Sequence, residues 1–224
     1  RYKKIKFITI NGLVLLIRFF MKIISSYYKW LKFSYQSFYL VHLIKNTMKT
    51  ILLLFLFPIL MNDSLLFDFN KKTNSSEWKI IDDGVMGGLS KGKFKIDENG
   101  NGVFFGAVST ENYGGFSSVS HQMKTKDISK FSKVSIRLKG DGKNYQFRIK
   151  DNANSYYSYI NTFKTSGEWE TIVLKWSDLY PSFRGQTLNL PNFKGDFLEE
   201  IVFLIGNKKN ESFELKIDTI ELVK

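Results

Sequence analysis

From Leu65 to the end of the chain, short runs of apolar or alternating residues are separated by Gly, Asn and Asp. Residues 134–138 and 145–149 alternate between apolar and polar side chains, and a Gly-Asp-Gly segment at 140–142 lies between them. Successive side chains of a strand point to opposite faces, so each run predicts a strand with one buried and one solvated face. The intervening glycines predict the hairpin that joins the two strands.

Similar runs predict nine further strands, at residues 65–69, 78–82, 93–96, 103–108, 116–122, 157–163, 169–176, 201–205 and 213–222. The run at 201–205 is apolar on both faces and rich in β-branched residues, which is typical of a strand buried at the centre of a sheet. No stretch of the domain keeps a helical period over ten residues. About eleven short strands with turns between them predict an all-β sandwich or jelly roll, formed by one domain over residues 65–224. Residues 177–197, which include Pro181 and Pro191, are predicted to be an irregular connection.

A hydrophobic and basic leader precedes this domain. Residues 1–47 are dense in Lys, Ile, Phe, Tyr and Ser. We interpret them as upstream read-through of AT-rich DNA or as a disordered or helical leader, with an organelle transit peptide as an alternative. Within them, residues 7–24 are apolar but interrupted by Asn11, Arg18 and Lys22, a pattern that favours an interfacial helix over a membrane-spanning one.

Residues 48–64 have the pattern of a secretory signal peptide. Met48, the expected initiator, is followed by Lys49 and by an apolar run over residues 51–61. A short basic start before an apolar stretch of about 7–15 residues is typical of signal peptides, and a bilayer span would need about 20 apolar residues. If Met48 begins a signal peptide, we expect a bacterial protein that is exported or attached to the cell envelope. The alternative is a mitochondrial location.

The net charge of +12 comes mainly from the leader. Of the 33 Lys and Arg residues, nine lie in residues 1–47, which contain no Asp or Glu, whereas residues 65–224 hold 23 basic and 20 acidic residues. A nearly balanced domain has no field that would steer it to a phosphate backbone. We therefore expect no nucleic-acid partner, and membrane contact only through the leader. The chain has no cysteine, which excludes disulfides, thiolate catalysis and Cys-based metal sites.

Three features resemble chemical sites, and each has a simpler interpretation. Residues 97–102 begin like a calcium-binding loop but lack the bidentate Glu required at its twelfth position, so they are predicted to be a hairpin turn. Asp82 and Asp83 are adjacent, which on a strand points them to opposite faces, and Asp commonly shapes turns. His121 lacks the partners of a catalytic base. We predict no catalytic residues, no metal and no cofactor; the alternative is a hydrolase that uses Asp83, Asp141 or His121.

Aromatic residues are concentrated in the predicted strand that begins near residue 157. Strand parity places Tyr157 and Tyr159 on one face and Tyr156 on the other. Flat aromatic rings on an exposed sheet stack against sugar rings, so Tyr157 and Tyr159 are a candidate ligand platform. The interpretation that we favour is that most of these rings fill the core. Arg137 and Arg148 fall on the polar sides of adjacent strands and are predicted to lie on an ordinary solvated face.

Several longer motifs follow one another along the domain: DDGVMGGLS at 82–90, FGAVS at 105–109, NYGGFSSV at 112–119, LKGDGKNY at 138–145, Trp169, and FRG at 183–185. Together with the strand at 201–206 and the segment at 213–220, they resemble the complex I intermediate-associated protein 30 family over nearly all of residues 65–224. The resemblance implies a galactose-binding-like jelly roll. Eukaryotic members of that family assist the assembly of respiratory complex I in mitochondria, as chaperone-like partners and not as enzymes. Related sandwiches often bind carbohydrate.

The resemblance implies a non-catalytic, protein-binding module with respiratory or membrane complex subunits as partners, or alternatively a carbohydrate-binding module of the cell envelope. The candidate binding residues lie in the motif loops and on the aromatic strand: Asp82, Asp83, Gly84, Gly87, Gly88, Ser90, Asn112, Gly114, Gly115, Phe116, Arg184, Tyr157 and Tyr159. Their glycines allow positive φ or close backbone approach, so loops 84–90 and 109–116 are expected to form a rigid polar end of the sandwich. We further predict that Arg184 is bonded to Asp82, to Asp83 or to carbonyls of loop 84–90.

Overall fold

The computed structural model describes residues 10–31 and 64–224. In the first range a single helix, α1, spans Ile10–Leu31, and its apolar side chains Leu15 and Phe19 are exposed. No helix within the described ranges combines the length and the apolarity needed to cross a lipid bilayer. The predicted signal-like segment at 48–64 lies, apart from Ser64, outside the described residues.

Residues 64–224 form one compact unit in which thirteen strands make up the regular structure. The strands are β1 Leu65–Asp68, β2 Trp78–Asp82, β3 Lys91–Ile96, β4 Gly102–Val108, β5 Ser117–Asp127, β6 Lys133–Lys139, β7 Asn144–Lys150, β8 Ser158–Lys164, β9 Trp169–Lys175, β10 Tyr180–Phe183, β11 Gln186–Thr187, β12 Phe197–Ile205 and β13 Glu211–Val223. Short 3-10 turns occur at Asp83–Met86 and Glu111–Tyr113, within the two motif loops.

The strands form two antiparallel sheets. One has the order β3-β4-β13-β6-β9, with β1 paired to β13, and the other has the order β11-β10-β8-β7-β12-β5-β2. Strand β13 is long enough to pair with β4 over its first half and with β1 near its end. The prediction of an all-β jelly-roll sandwich is confirmed. The predicted hairpin between the strands at 134–138 and 145–149 is wrong, because β6 and β7 belong to different sheets and the segment at 140–142 connects the two layers. The number of strands is thirteen instead of about eleven, because the predicted irregular connection at 177–197 contains the short strands β10 and β11.

The core lies between the two sheets and consists of large apolar side chains. Strand β12 pairs with β5 on one side and β7 on the other, and residues 201–205 are buried throughout, as predicted for a central strand. Phe203 in this strand contacts the rings of Phe147 and Trp78. The segment at 97–102 is the hairpin turn between β3 and β4, also as predicted.

Candidate functional site

A buried carboxylate organises the first motif loop. Asp83 follows β2 directly and has no exposed surface. Its Oδ1 accepts a hydrogen bond from the Ser90 amide at 3.0 Å, and its Oδ2 accepts from the Ser90 hydroxyl at 2.5 Å. Oδ2 also accepts from the amides of Gly115 and Phe116 at 2.6 and 3.1 Å. A single side chain therefore joins loop 84–90 to loop 109–116.

These hydrogen bonds decide the ionisation of Asp83. Burial alone would raise the pKa of the carboxyl group, because desolvation penalises the charged form. The Ser90 hydroxyl and the three backbone amides favour the charged form, and together they hold the pKa of Asp83 below its usual value. Asp83 is therefore an ionised acceptor whose lone pairs are already used within the protein, which is the state of a structural brace.

Two motif glycines leave room for this carboxylate. A Cβ atom on Gly88 would lie 2.3 Å from Asp83 Oδ1, and a Cβ atom on Gly114 would lie 2.7 Å from Asp83 Oδ2. Both positions therefore require glycine because of close approach and not because of an unusual φ. Gly84 differs from them, since a Cβ atom there would meet nothing within 4 Å.

The neighbouring Asp82 braces a different contact. Its Oδ2 accepts from the Gly92 amide of β3 at 3.0 Å, and its Oδ1 accepts from the Ser117 hydroxyl of β5 at 2.6 Å. Strands β3 and β5 belong to different sheets, so Asp82 links the two layers of the sandwich. The adjacent acids thus perform separate structural tasks, in agreement with the interpretation that they do not form a catalytic pair.

The second motif loop is strained, and it displays an aromatic ring. Asn112 and Tyr113 both have left-handed backbone angles, with φ of 52° and 62°. Such angles cost about 1–3 kcal/mol for a residue other than glycine, and they persist where surrounding contacts enforce them. Here the loop is held by Asp83 and by Asn210, whose Oδ1 accepts from the Thr110 amide at 2.7 Å. The Tyr113 side chain is 96% exposed, and Leu89 in the first loop is 49% exposed.

The predicted contact of Arg184 with the motif loops is wrong. Arg184 is exposed, and its guanidinium lies 5.2 Å from the ring centre of its neighbour Phe183. It follows β10, which lies near one edge of the seven-stranded sheet, whereas Asp82 ends β2 at the opposite edge and Asp83 follows it directly. Strands are about 4.8 Å apart, so the two segments are separated by roughly 24 Å across the sheet.

The aromatic strand contributes mainly to the core. Tyr159 is 9% exposed and packs against Phe193, and Tyr157 is half-buried with its ring 5.4 Å from that of Tyr159. The exposed ring is that of Tyr156, which is in an edge-to-face contact with Phe183 at 5.3 Å. This exposed aromatic pair escaped the sequence analysis because Phe183 belongs to a strand that the local pattern did not predict.

The residues considered for a hydrolase do not share a site. Asp141 accepts hydrogen bonds from Lys143, from the Tyr145 hydroxyl and from the amide of Glu214. His121 is buried, with its ring stacked at 5.0 Å on Trp78 and with Nδ1 3.2 Å from the Glu77 carbonyl oxygen. The carboxylate of Asp83 is occupied by the four hydrogen bonds from Ser90, Gly115 and Phe116 that are described above. Each group therefore has its own structural partners.

A shallow cavity of about 340 Å³ lies on the outer face of the six-stranded sheet. It is lined by charged and amide side chains and by one tryptophan: Asp97, Asn99, Asn101, Arg137, Lys139, Trp169, Lys216 and Asp218. Arg137 forms an ion pair with Asp218 at 2.9 Å and lies 5.4 Å from the Trp169 ring centre. The two lysines of this lining are also in ion pairs, Lys139 with Glu168 and Lys216 with Glu214, so each cation of the cavity already has a carboxylate partner.

Comparison with known proteins identifies one family. The family model for complex I intermediate-associated protein 30 matches residues 67–217. The mitochondrial complex I intermediate-associated protein 30 of Mus musculus is 21% identical over 179 residues, which cover 70% of this chain and 55% of that protein. The chain thus spans about half the length of this curated relative.

Solved structures with the same fold include carbohydrate-binding modules. The family 11 module from Clostridium thermocellum, in complex with a β-1,3-1,4-mixed-linked tetrasaccharide, aligns with a TM-score of 0.53 at 19% identity, over 71% of this chain and 94% of that module. A family 11 module of a cellulosomal cellulase from the same organism gives 0.53 at 18% identity, over 71% and 92%. At this level of identity, the likeness concerns the fold alone.

Proposed function

The chain belongs to the complex I intermediate-associated protein 30 family, and on that premise we propose that its sandwich domain is a non-catalytic, protein-binding module. Its partners are subunits of a respiratory or other membrane complex, whose assembly it assists. The mouse relative is named for an association with intermediates of complex I, which supports this choice of partner. The separate structural use of Asp83, Asp141 and His121 supports a role without catalysis.

The observation that carries this proposal is the strained loop that exposes Tyr113. Backbone strain at an exposed site is retained where the conformation serves a purpose, and the Asp83 brace supplies the energy that holds it. Tyrosine is enriched among the few residues that dominate protein interfaces. Because loops 84–90 and 109–116 are joined by Asp83, Tyr113 and Leu89 are presented on a preorganised surface, which reduces the entropy lost on binding.

Affinity purification from detergent-solubilised membranes tests the proposal. The full chain should recover subunits of a membrane complex, and Tyr113→Ala should reduce that recovery strongly, since loss of an interface anchor costs about 2 kcal/mol or more. Tyr156→Ala is the matched control, because Tyr156 is also an exposed tyrosine but belongs to the other edge of the sandwich. Recovery of the same subunits by both variants, or of none by the native chain, would refute the proposal.

A second candidate function is carbohydrate binding in the cell envelope. The specific observation in its favour is the exposed edge-to-face pair of Tyr156 and Phe183, beside the exposed Arg184. Tyr157 remains a candidate contributor, whereas the buried Tyr159 would act only by supporting its neighbours. Calorimetry against a panel of polysaccharides tests this function. Tyr156→Ala should make the binding free energy of a true ligand less favourable by about 1–3 kcal/mol. The absence of binding to every polysaccharide would dismiss it.

The location of the protein follows from its leader. A signal peptide that begins at Met48 would export the domain to the cell envelope, whereas the mitochondrial relative supports the alternative of a mitochondrial location. N-terminal sequencing of the mature protein decides between them: a new terminus close to Ser64 supports export, and retention of the residues before Met48 excludes it.

A further inference from the structure

The outward face of the seven-stranded sheet is built from residues that point away from the core and yet are largely buried. Strand pairing aligns Tyr180, Ile160, Arg148, Val202 and Ser120 in one row across β10, β8, β7, β12 and β5. Ile160, Val202 and Ser120 are all buried, and Arg148 is half-buried. The sequence analysis expected an ordinary solvated face at Arg148, and that expectation is wrong.

Arg148 has no carboxylate partner among the described residues. Its Nε and Nη2 atoms donate to the Gln146 Oε1 at 2.9 and 2.6 Å, which fixes the plane of the guanidinium group. Burial lowers the pKa of Arg148, and the Tyr180 hydroxyl partly offsets this effect. An arginine carries five N–H donors, so the greater part of its donor capacity is left for an acceptor outside the protein.

The carboxylate that lies diagonally beside Arg148 on this face is already engaged. The Oε2 atom of Glu200 lies 3.4 Å from the Nζ atom of Lys150, and its Oε1 atom accepts a hydrogen bond from the Ser120 hydroxyl at 2.5 Å. Arg137, on the other sheet, offers a contrast: its side chain is 55% exposed and it is paired with Asp218. Of these two arginines, the more buried one is therefore the one without a counter-ion among the residues that the structure describes. Because an unpaired charge is costly to bury, a protein gains nothing in stability from this arrangement.

We propose that Arg148, held by Gln146, is a binding position for the carboxylate of an acidic side chain on the partner protein. Planar guanidinium and carboxylate groups match in a bidentate geometry, which the fixed orientation of Arg148 favours. Ile160 and Val202, which flank Arg148 in the row, are aliphatic and buried, so they offer no hydrogen-bonding groups to the hydroxyls of a sugar ring at this position. This inference rests on the proposed protein-binding function.

The direct test uses short poly-L-glutamate as the probe, with poly-L-glutamine and polygalacturonate for comparison. Binding of poly-L-glutamate to the full chain should shift the Arg148 Nε–H signal in ¹⁵N NMR spectra. Arg148→Gln should weaken the affinity roughly ten- to hundredfold, as loss of hydrogen bonds to a charged group predicts, and Arg148→Lys should weaken it less. Arg137→Gln, the matched control, should retain the affinity of the native chain.

Stability gives an independent readout. Arg148→Met removes an unpaired, half-buried charge but keeps an apolar stem, so its denaturant midpoint should equal or exceed that of the native chain. A large fall in the midpoint would assign Arg148 a structural role and overturn the inference. An unshifted Nε–H signal, equal loss of affinity in Arg137→Gln, or a preference for polygalacturonate would overturn it as well.

The proposed protein-binding function and the proposed Arg148 site can be refuted independently of each other. If the native chain recovers membrane-complex subunits, and Arg148→Gln recovers them equally well, the protein-binding function stands and the Arg148 site is wrong. If the native chain recovers no subunits, the proposed function itself is wrong, whatever poly-L-glutamate does.

Discussion

At the scale of single residues, the motif around positions 82–90 is mainly an arrangement for holding one charge. Asp83 satisfies amides in two loops, and Gly88 and Gly114 leave the space in which its carboxylate lies. The sequence identified these residues as a group, because glycines beside polar residues indicate turns and close approach. Their assignment as binding residues remains a prediction, and their contacts indicate that they would act indirectly, by positioning the loop that exposes Tyr113.

Asp83→Asn should destabilise the domain by about 3 kcal/mol, because an amide group cannot accept from all the donors that surround Asp83. The folded pKa of Asp83 lies below the unfolded value near 3.9, so its stabilisation is present above about pH 4 and is lost as pH falls through the folded pKa. Urea unfolding at a series of pH values between about 2 and 7 gives the free energy of unfolding as a function of pH. Below about pH 4, this free energy should fall less steeply with decreasing pH for Asp83→Asn than for the native chain. Asp127 is the exposed last residue of β5 and accepts only from the nearby Ser129, so Asp127→Asn should change the stability at neutral pH little. Equal effects of the two variants would contradict this account.

Gly88→Ala should destabilise the fold by about 1–3 kcal/mol, since the new methyl group would collide with a carboxylate that four hydrogen bonds hold in place. Gly84→Ala is the matched control: the space beside Gly84 is open, and alanine there should be neutral or slightly stabilising. Thermal unfolding of the two variants measures the difference. A Gly88→Ala protein as stable as Gly84→Ala would show that the carboxylate is not confined.

At the scale of elements, the sequence predicted strands wherever apolar and polar residues alternate, and it failed where a strand depends on its neighbours. Strand β10 contains Pro181 and β11 has only two residues, so neither carries a local pattern, and both are defined by pairing to β8 and to each other. The order of strands in a sheet is also absent from a local pattern. For this reason the sequence placed Arg184 beside Asp83, although their strands lie at opposite edges.

The central position of β12 predicts that two of its phenylalanines differ in how much they contribute to the stability of the fold. Phe203→Ala should cost about 3–5 kcal/mol, because Phe203 is fully buried and its removal leaves a cavity between the sheets. Phe197, at the start of the same strand, is half exposed, so Phe197→Ala should cost far less. Guanidinium unfolding of both variants gives the comparison. Similar costs would mean that β12 does not hold the centre of the core.

At the scale of the whole molecule, the fold was predictable and the binding surface was only partly so. The periodicity of residues 65–224 and the order of the motifs were sufficient for the sandwich and for the family. The burial of Arg148 depends on side chains from neighbouring strands, and the exposure of Tyr113 depends on two consecutive left-handed residues. Neither property is encoded by the local alternation of apolar and polar residues.

The central claim is that the end of the sandwich formed by the two motif loops binds subunits of a membrane complex. The most direct measurement places the photocrosslinker p-benzoylphenylalanine at position 113 in living cells, with position 156 as the control, and identifies the crosslinked proteins by mass spectrometry. We predict that position 113 crosslinks to one or a few subunits of a membrane complex and that position 156 does not. The absence of crosslinks at position 113, or the same proteins at both positions, would contradict the account.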